Sequence, residues 1–192
     1  DLSQTVERIT TTLQGRRDIV RTIGIASMVL GVALGVYTGV LLSSLVARPL
    51  WNTGILGVLF LASGVSAAAA FGHLVTHSPD ERALTVRIDN VVLASELGIL
   101  TLFLVAMLNG NAQQVDAAGL VLGGPFTAPF WVFVVGLGIV VPLIIQLLAV
   151  RHWIQHTPIA PIMVMAGGLA LRWVLVLAGQ VSRWAPGTMG MQ

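Results

Sequence analysis

A chain of 192 residues that is 56% hydrophobic and only 9% charged cannot cover its own surface in water, because a soluble domain carries about 25% charged side chains. The net charge is +2, lysine is absent, and no basic run is longer than Arg16-Arg17, which excludes a surface built to track nucleic-acid phosphates. Cysteine is also absent, so disulfides, thiolate catalysis and protein-ligated iron–sulfur clusters are excluded within this chain.

Residues 1–20 read as an amphipathic helix lying on the lipid headgroups. Leu2, Val6, Ile9 and Leu13 recur at helical spacing, while Glu7, Arg8, Arg16 and Arg17 take other faces. Five apolar stretches follow, at about 22–46, 52–74, 88–108, 126–150 and 159–182. Each is near the ~20 residues that cross ~30 Å of hydrocarbon. Turn signals separate them: Arg48-Pro49, Ser78-Pro79-Asp80, Asn109-Gly110-Asn111, Gly123-Gly124-Pro125 and Thr157-Pro158. The expected architecture is therefore all-α: an interfacial helix over 1–20, a polytopic transmembrane bundle of five spans over 21–184, and a tail over 185–192. The chain starts at Asp1 rather than Met, so the numbering is expected to begin inside a longer protein. No signal-peptide pattern precedes the first span.

Arginine placement orients the bundle. With the N-terminus inside, Arg8, Arg16, Arg17, Arg21, Arg82, Arg87 and Arg151 fall on the inner face and Arg48 and Arg183 on the outer. The positive-inside rule then assigns N-in, C-out. Trp51, Trp131 and Trp184 come to the outer boundary and Trp153 to the inner one, as an aromatic belt requires. The first span carries small residues at every fourth position, Ser27, Gly31, Gly35, Gly39 and Ser43, a stripe that admits close approach of another helix. Gly136-Leu137-Gly138 lies inside the fourth span and reads as packing too.

Ionisable side chains inside a bilayer cost at least ~2.5–3.5 kcal/mol on insertion scales, so each needs a reason. Asp89 stands at the inner end of the third span, Glu96 is ~10 Å deeper on the same helical face, and Arg172 is ~20 Å from the inner boundary in the fifth span. These depths make a staircase suited to a proton or ion relay, with Gln146, Ser95 or Gln180 as partners between the steps. A Glu96–Arg172 pair holding two spans together explains the same residues without transport. His73/His77 and His152/His156 have the i,i+4 spacing of metal ligands, but no Cys or carboxylate completes either pair, and they read as interfacial. No histidine lies deep in facing spans, which sets haem aside. Tyr37, the one tyrosine in the chain, sits two-thirds of the way out along the first span, where it either packs or bonds the carbonyl of a quinone-like headgroup. No hydrolytic triad, Walker loop or dinucleotide fingerprint is present.

The segments Tyr37-Thr38-Gly39-Val40-Leu41-Leu42-Ser43, Ala47-Arg48-Pro49-Leu50-Trp51-Asn52, Leu59-Phe60-Leu61-Ala62-Ser63-Gly64-Val65-Ser66 and Leu171-Arg172-Trp173-Val174-Leu175-Val176-Leu177-Ala178-Gly179-Gln180 resemble the NrfD / polysulfide reductase membrane-subunit family. The resemblance covers nearly all of residues 20–182. Family members have eight or more spans, so the chain looks like the last five spans of that fold. The resemblance implies a quinone-interacting anchor of the prokaryotic inner membrane, with menaquinone or ubiquinone as its cofactor and no haem. It implies an iron–sulfur partner of the four-cluster ferredoxin type, which passes electrons to or from a molybdenum-containing or multihaem catalytic subunit. Tyr37, Trp51 and Asn52 are then the expected quinone-binding residues, with Arg48 beside them on the outer rim where the partner docks. Asp89, Glu96 and Arg172 are expected to move protons or to stabilise the bundle. A structural anchor without a quinone site, and an ion-transporting subunit using Glu96 and Arg172, are the rival readings.

Overall fold

The computed structural model describes residues 17–44, 48–76, 79–150 and 158–182. Every regular element among the described residues is a helix: α1 (Arg17–Ser43), α2 (Ile55–Val75), α3 (Pro79–Leu108), α4 (Ala112–Leu122), a π-helical stretch π1 (Pro129–Val140) running directly into α5 (Val141–Val150), and α6 (Ile159–Val181). Five segments are long and apolar enough to cross a membrane: Asp18–Ser43, Ile55–Val75, Ala83–Leu108, Pro129–Ala149 and Ile159–Val181. The five expected spans are therefore present. Most of the surface helix expected over 1–20 lies outside the described residues, and residues 17–20 are continuous with α1.

Helix α2 is the hub. It packs against α1, α3 and α6, while π1 lies along α6 and α5 closes onto α3. In hydrocarbon there is no hydrophobic force between helices, so close backbone approach and van der Waals contact hold such a bundle. Two glycine-to-glycine crossings supply that approach. Gly39 of α1 lies against Gly57 of α2, and Gly138 of π1 lies against Gly167 of α6; a Cβ on any of the four would run into the facing backbone. Gly35 also meets α2, at Leu61, but Gly24 and Gly31 face open space. Only the second half of the small-residue stripe on α1 thus serves as a contact. The rest of α1 is exposed, including Met28, Leu30 and Leu34.

The fourth span departs from α-geometry. Between Pro129 and Val141 the backbone follows an i→i−5 register, which ends where the Val141 N–H reaches the Gly136 carbonyl. Pro142, next in sequence, has no N–H to give, so the change of register falls beside a residue that donates no backbone bond of its own. Widened turns of this kind are rare and tend to mark functional segments.

Residues 109–125, read as a connection from their Asn and Gly content, contain a helix, α4. Its start is written in Asn111-Ala112-Gln113-Gln114, a capping box. The Asn111 Oδ1 accepts from the Gln114 N–H at 3.0 Å, and the Gln114 Oε1 accepts from the Asn111 N–H at 3.1 Å. Ala117, Ala118 and Val121 turn into the bundle. Gln114 also donates to the Asn52 carbonyl at 3.4 Å, joining α4 to the 48–54 loop. Replacing Asn111 with Ala is expected to lower unfolding stability by about 1 kcal/mol, measurable in thermal melts of the detergent-solubilised protein.

The 48–54 loop folds over the end of α6. Arg48 Nη1 donates to the Ser182 carbonyl at 2.8 Å, and the Trp51 indole N–H donates to the Leu175 carbonyl at 3.1 Å. Trp51 is 8% exposed, with its ring against Gly179. The expected boundary tryptophan is therefore a packed side chain, and it occupies a place on α6 where a missing Cβ leaves room for an indole. Trp131 is exposed as a belt residue would be, while Trp153 and Trp184 lie outside the described residues.

A buried polar column as the candidate functional site

Most side chains inside the bundle are apolar, among them Leu56, Leu59, Leu93, Phe103, Phe130 and Leu171. Against that background five buried polar side chains stand in one region, apart from Ser182 at the end of α6 and His73 on α2. Asp89 and Glu96 are 1% and 3% exposed, and Ser63, Ser66 and Gln146 are as deeply buried. Helical spacing sets which of them share a face: Asp89 and Glu96 are two turns apart on α3, and Ser63 and Ser66 one turn apart on α2.

The column has two levels. At the first, Ser66 Oγ–H donates to Asp89 Oδ1 at 2.9 Å, and Gln146 Nε2–H donates to Asp89 Oδ2 at 2.6 Å. Three helices, α2, α3 and α5, thus meet on one carboxyl group. At the second, Glu96 interacts with Ser63 and with the charge of Arg172. The guanidinium of Arg172 donates to the Gly168 carbonyl at 2.8 Å and, more weakly, to the Phe60 carbonyl at 3.4 Å. Gly64 and Gly168 give it room, for a Cβ on either would touch the guanidinium nitrogens. Because side chains on a helix lean toward its N-terminus, Arg172 reaches back one turn along α6. It therefore acts at the level of Glu96 rather than forming a third, higher step.

The proposed intermediate partners divide. Gln146 is in the column. Ser95 bonds the Val91 carbonyl of its own helix and is exposed, and Gln180 is exposed. Ser63 and Ser66, which in the sequence belong to a patch of small packing residues, are the polar groups that α2 turns toward the carboxylates. The signal that would have found them is their one-turn spacing opposite two carboxylates with a two-turn spacing. Ser63 Oγ, although near Glu96, and Gln146 Oε1 are both buried without a partner of full hydrogen-bond geometry. Among the described residues the column thus has more polar capacity than they fill.

The residues expected to bind quinone are not gathered together. Tyr37 projects from α1 and is 62% exposed, while Trp51 is turned into α6 and Asn52 is half-buried under α4. Among the described residues no hydrogen bond reaches the Tyr37 hydroxyl, although its neighbour Thr38 bonds back to the Leu34 carbonyl. A separate apolar cleft of about 250 Å³ opens between π1 and α6, lined by Phe133, Leu137, Met163 and Trp173 among others. His73 is buried on α2. His77, His152 and His156 lie outside the described residues.

The sequence as a whole has known counterparts. The profile of the family described as Polysulphide reductase, NrfD matches residues 3–183. The chain belongs to this family. It is 33% identical over 173 residues to the C subunit of the polysulfide reductase of Wolinella succinogenes, an alignment that covers 83% of this chain and 54% of that protein. It is 35% identical over 170 residues to protein NrfD of Escherichia coli, covering 81% and 52%. A third relative, the NrfD homolog of Haemophilus influenzae, is 29% identical over 174 residues, covering 85% and 54%. The chain thus spans about half the length of the curated relatives it matches. No solved structure matches it. With five spanning helices, this NrfD-family chain is a multi-pass protein of the prokaryotic inner membrane.

Proposed function

We propose that this NrfD-family chain is a quinone-linked membrane anchor of a respiratory oxidoreductase complex. In this reading it passes electrons between the quinone pool and an iron–sulfur partner of the four-cluster ferredoxin type, and protons are exchanged through its buried carboxylates. The partner in turn serves a molybdenum-containing or multihaem catalytic subunit. The N-in, C-out orientation suggested by the arginines puts Tyr37 and the 48–54 loop toward the outer face.

The observation that carries the quinone reading is the state of Tyr37. A phenol within a spanning helix, exposed and unbonded by any described residue, keeps an unused donor where water is scarce, and such groups seek a partner. A quinone supplies a lipid-soluble carrier of two electrons and two protons, and its carbonyl oxygen is an acceptor suited to that hydroxyl. Tyr37 would orient the headgroup. Asn52 and Trp51 would act from the loop, Trp51 by holding the loop's shape through its bond to α6 rather than by touching the ring. Asp89 and Glu96, with Ser63, Ser66 and Gln146 between them, would take up or release the protons that accompany each electron pair. Arg172 would hold Glu96 in place and balance its charge.

Replacing Tyr37 with Phe in the intact complex tests the reading. Loss of one net hydrogen bond of about 1.4 kcal/mol corresponds to about a tenfold rise in KM for quinol or in the dissociation constant of a quinone-site inhibitor. Unchanged turnover together with unchanged inhibitor affinity would remove Tyr37 from the site. Transport of an ion by the chain reconstituted without redox partners would instead favour a transporter.

A further inference from the structure

Asp89 is served by two donors. Ser66 gives one hydrogen bond from α2, and Gln146 gives the shorter one, 2.6 Å, from α5. Among the described residues the charged and titratable groups around the carboxyl are few. Glu96 stands two turns along α3, Arg172 reaches from α6 to the level of Glu96, and His73 lies two turns from Ser66 on α2. The arrangement as it stands fits an ionised Asp89, since both carboxylate oxygens accept. It also leaves a defect. Gln146 Oε1 is buried beside this carboxyl, with Gln146 only 2% exposed, and no hydrogen bond from a described residue reaches it.

A side-chain amide has a donor face and an acceptor face, exchanged by rotation about its last bond. A carboxylate needs donors, whereas a carboxylic acid needs one acceptor for its own O–H. The idle Oε1 is a buried acceptor on the very side chain already bonded to Asp89. We propose that Gln146 is the positioning residue of Asp89 and serves both of its charge states by turning its amide over. With Asp89 ionised, the Gln146 –NH2 donates to Oδ2. When a proton arrives on Oδ2, the amide reverses and Oε1 accepts the new O–H, while Ser66 goes on donating to Oδ1. The step moves one proton and no electrons: Asp89 gains the proton from its neighbour in the relay and later returns it. The proposal deepens the proton-exchange reading above and rests on it. It also accounts for a buried acceptor that is idle in one state, since that atom is the partner required by the other.

The test is infrared difference spectroscopy on the intact complex in lipid nanodiscs, with glutamine side-chain amides carrying 13C and 15N. Stepping the pH is expected to convert the Asp89 carboxylate band into a carboxylic-acid band, assigned by its loss in Asp89→Asn. An isotope-sensitive glutamine amide band should change with it and disappear in Gln146→Met. The Asp89→Asn protein, whose side-chain amide offers N–H where the acid offers O–H, should show the glutamine band of the low-pH wild type at every pH. A protonation change at Asp89 with a silent Gln146 amide overturns the proposal. So does an Asp89→Asn spectrum that matches the high-pH state, or an Asp89 that keeps its charge at every pH where the protein stays helical. Spectra taken during quinol turnover form a separate arm. Absence of Asp89 protonation there would sink the proton-exchange reading while leaving the pH-step result for Gln146 intact.

Discussion

Replacing Arg172 with Met is expected to lower the stability of the folded bundle by about 2 kcal/mol, within the range for losing hydrogen bonds made by a charged group. The loss has two parts. Glu96, 3% exposed, would lose the nearby guanidinium, and a carboxyl group left among apolar helices is costly either as a lone charge or as a newly protonated acid. The Phe60 carbonyl would also lose its tie across from α6. Adding Glu96→Gln should recover part of the loss, since no carboxyl group is then left without its cation, while the bonds to the Gly168 and Phe60 carbonyls stay lost. Thermal melts of the wild type, both single variants and the double variant form the cycle that measures the coupling. If Arg172→Met is no less stable than the double variant, Glu96 does not depend on Arg172, and the two are neighbours only.

A second large effect is expected at the glycine crossing between π1 and α6. Gly167→Leu should prevent recovery of folded protein from detergent extracts, because its first side-chain atom would fall on the backbone of Gly138. Overpacking a tight core typically costs about 1–3 kcal/mol through shifted side chains, and here the obstacle is backbone, which has nowhere to rotate. Gly167→Ala should fold but melt earlier, reporting the same clash at a size that leaves a measurable protein. Gly31→Leu is the matched control. Nothing lies within 4 Å of the position its Cβ would take, so yield and melting should match the wild type. A Gly167→Leu protein as stable as Gly31→Leu would show that the crossing contributes nothing to assembly.

The contrast between Gly31 and Gly39 shows how far the stripe on α1 could be read. Four-residue spacing names a face suited to close contact, and both glycines are on it. Which part of that face meets a neighbour depends on where α1 and α2 cross, and that point is set by residues far away in the chain. Asn111 is a different case. Its capping box with Gln114 is a local pattern that sequence can carry, yet the turn residues around it obscure the signal, and the segment that forms α4 reads as a connection. Trp51 is the opposite. A tryptophan at a span boundary is usually an interfacial anchor, and only the contact with Gly179 and the Leu175 carbonyl turns it inward.

The candidate site divides along the same line. Asp89, Glu96 and Arg172 could be singled out one by one, because an ionisable group in a hydrocarbon span is costly wherever it sits, and that cost belongs to the residue itself. Gln146, Ser63 and Ser66 carry no such cost signal. Serine and glutamine inside a span are cheap enough to be packing residues, and they become partners only when α2 and α5 are laid against α3. Composition and hydropathy alone therefore determined that this is a membrane bundle of five spans with buried charge, since each of those properties adds up along the chain. Tertiary structure decided that Arg172 reaches back to the level of Glu96, that Asp89 is held by two other helices, and that Tyr37 is exposed on α1 apart from Trp51. Those are relations between helices, fixed by where glycine lets backbones meet, and no single segment contains them.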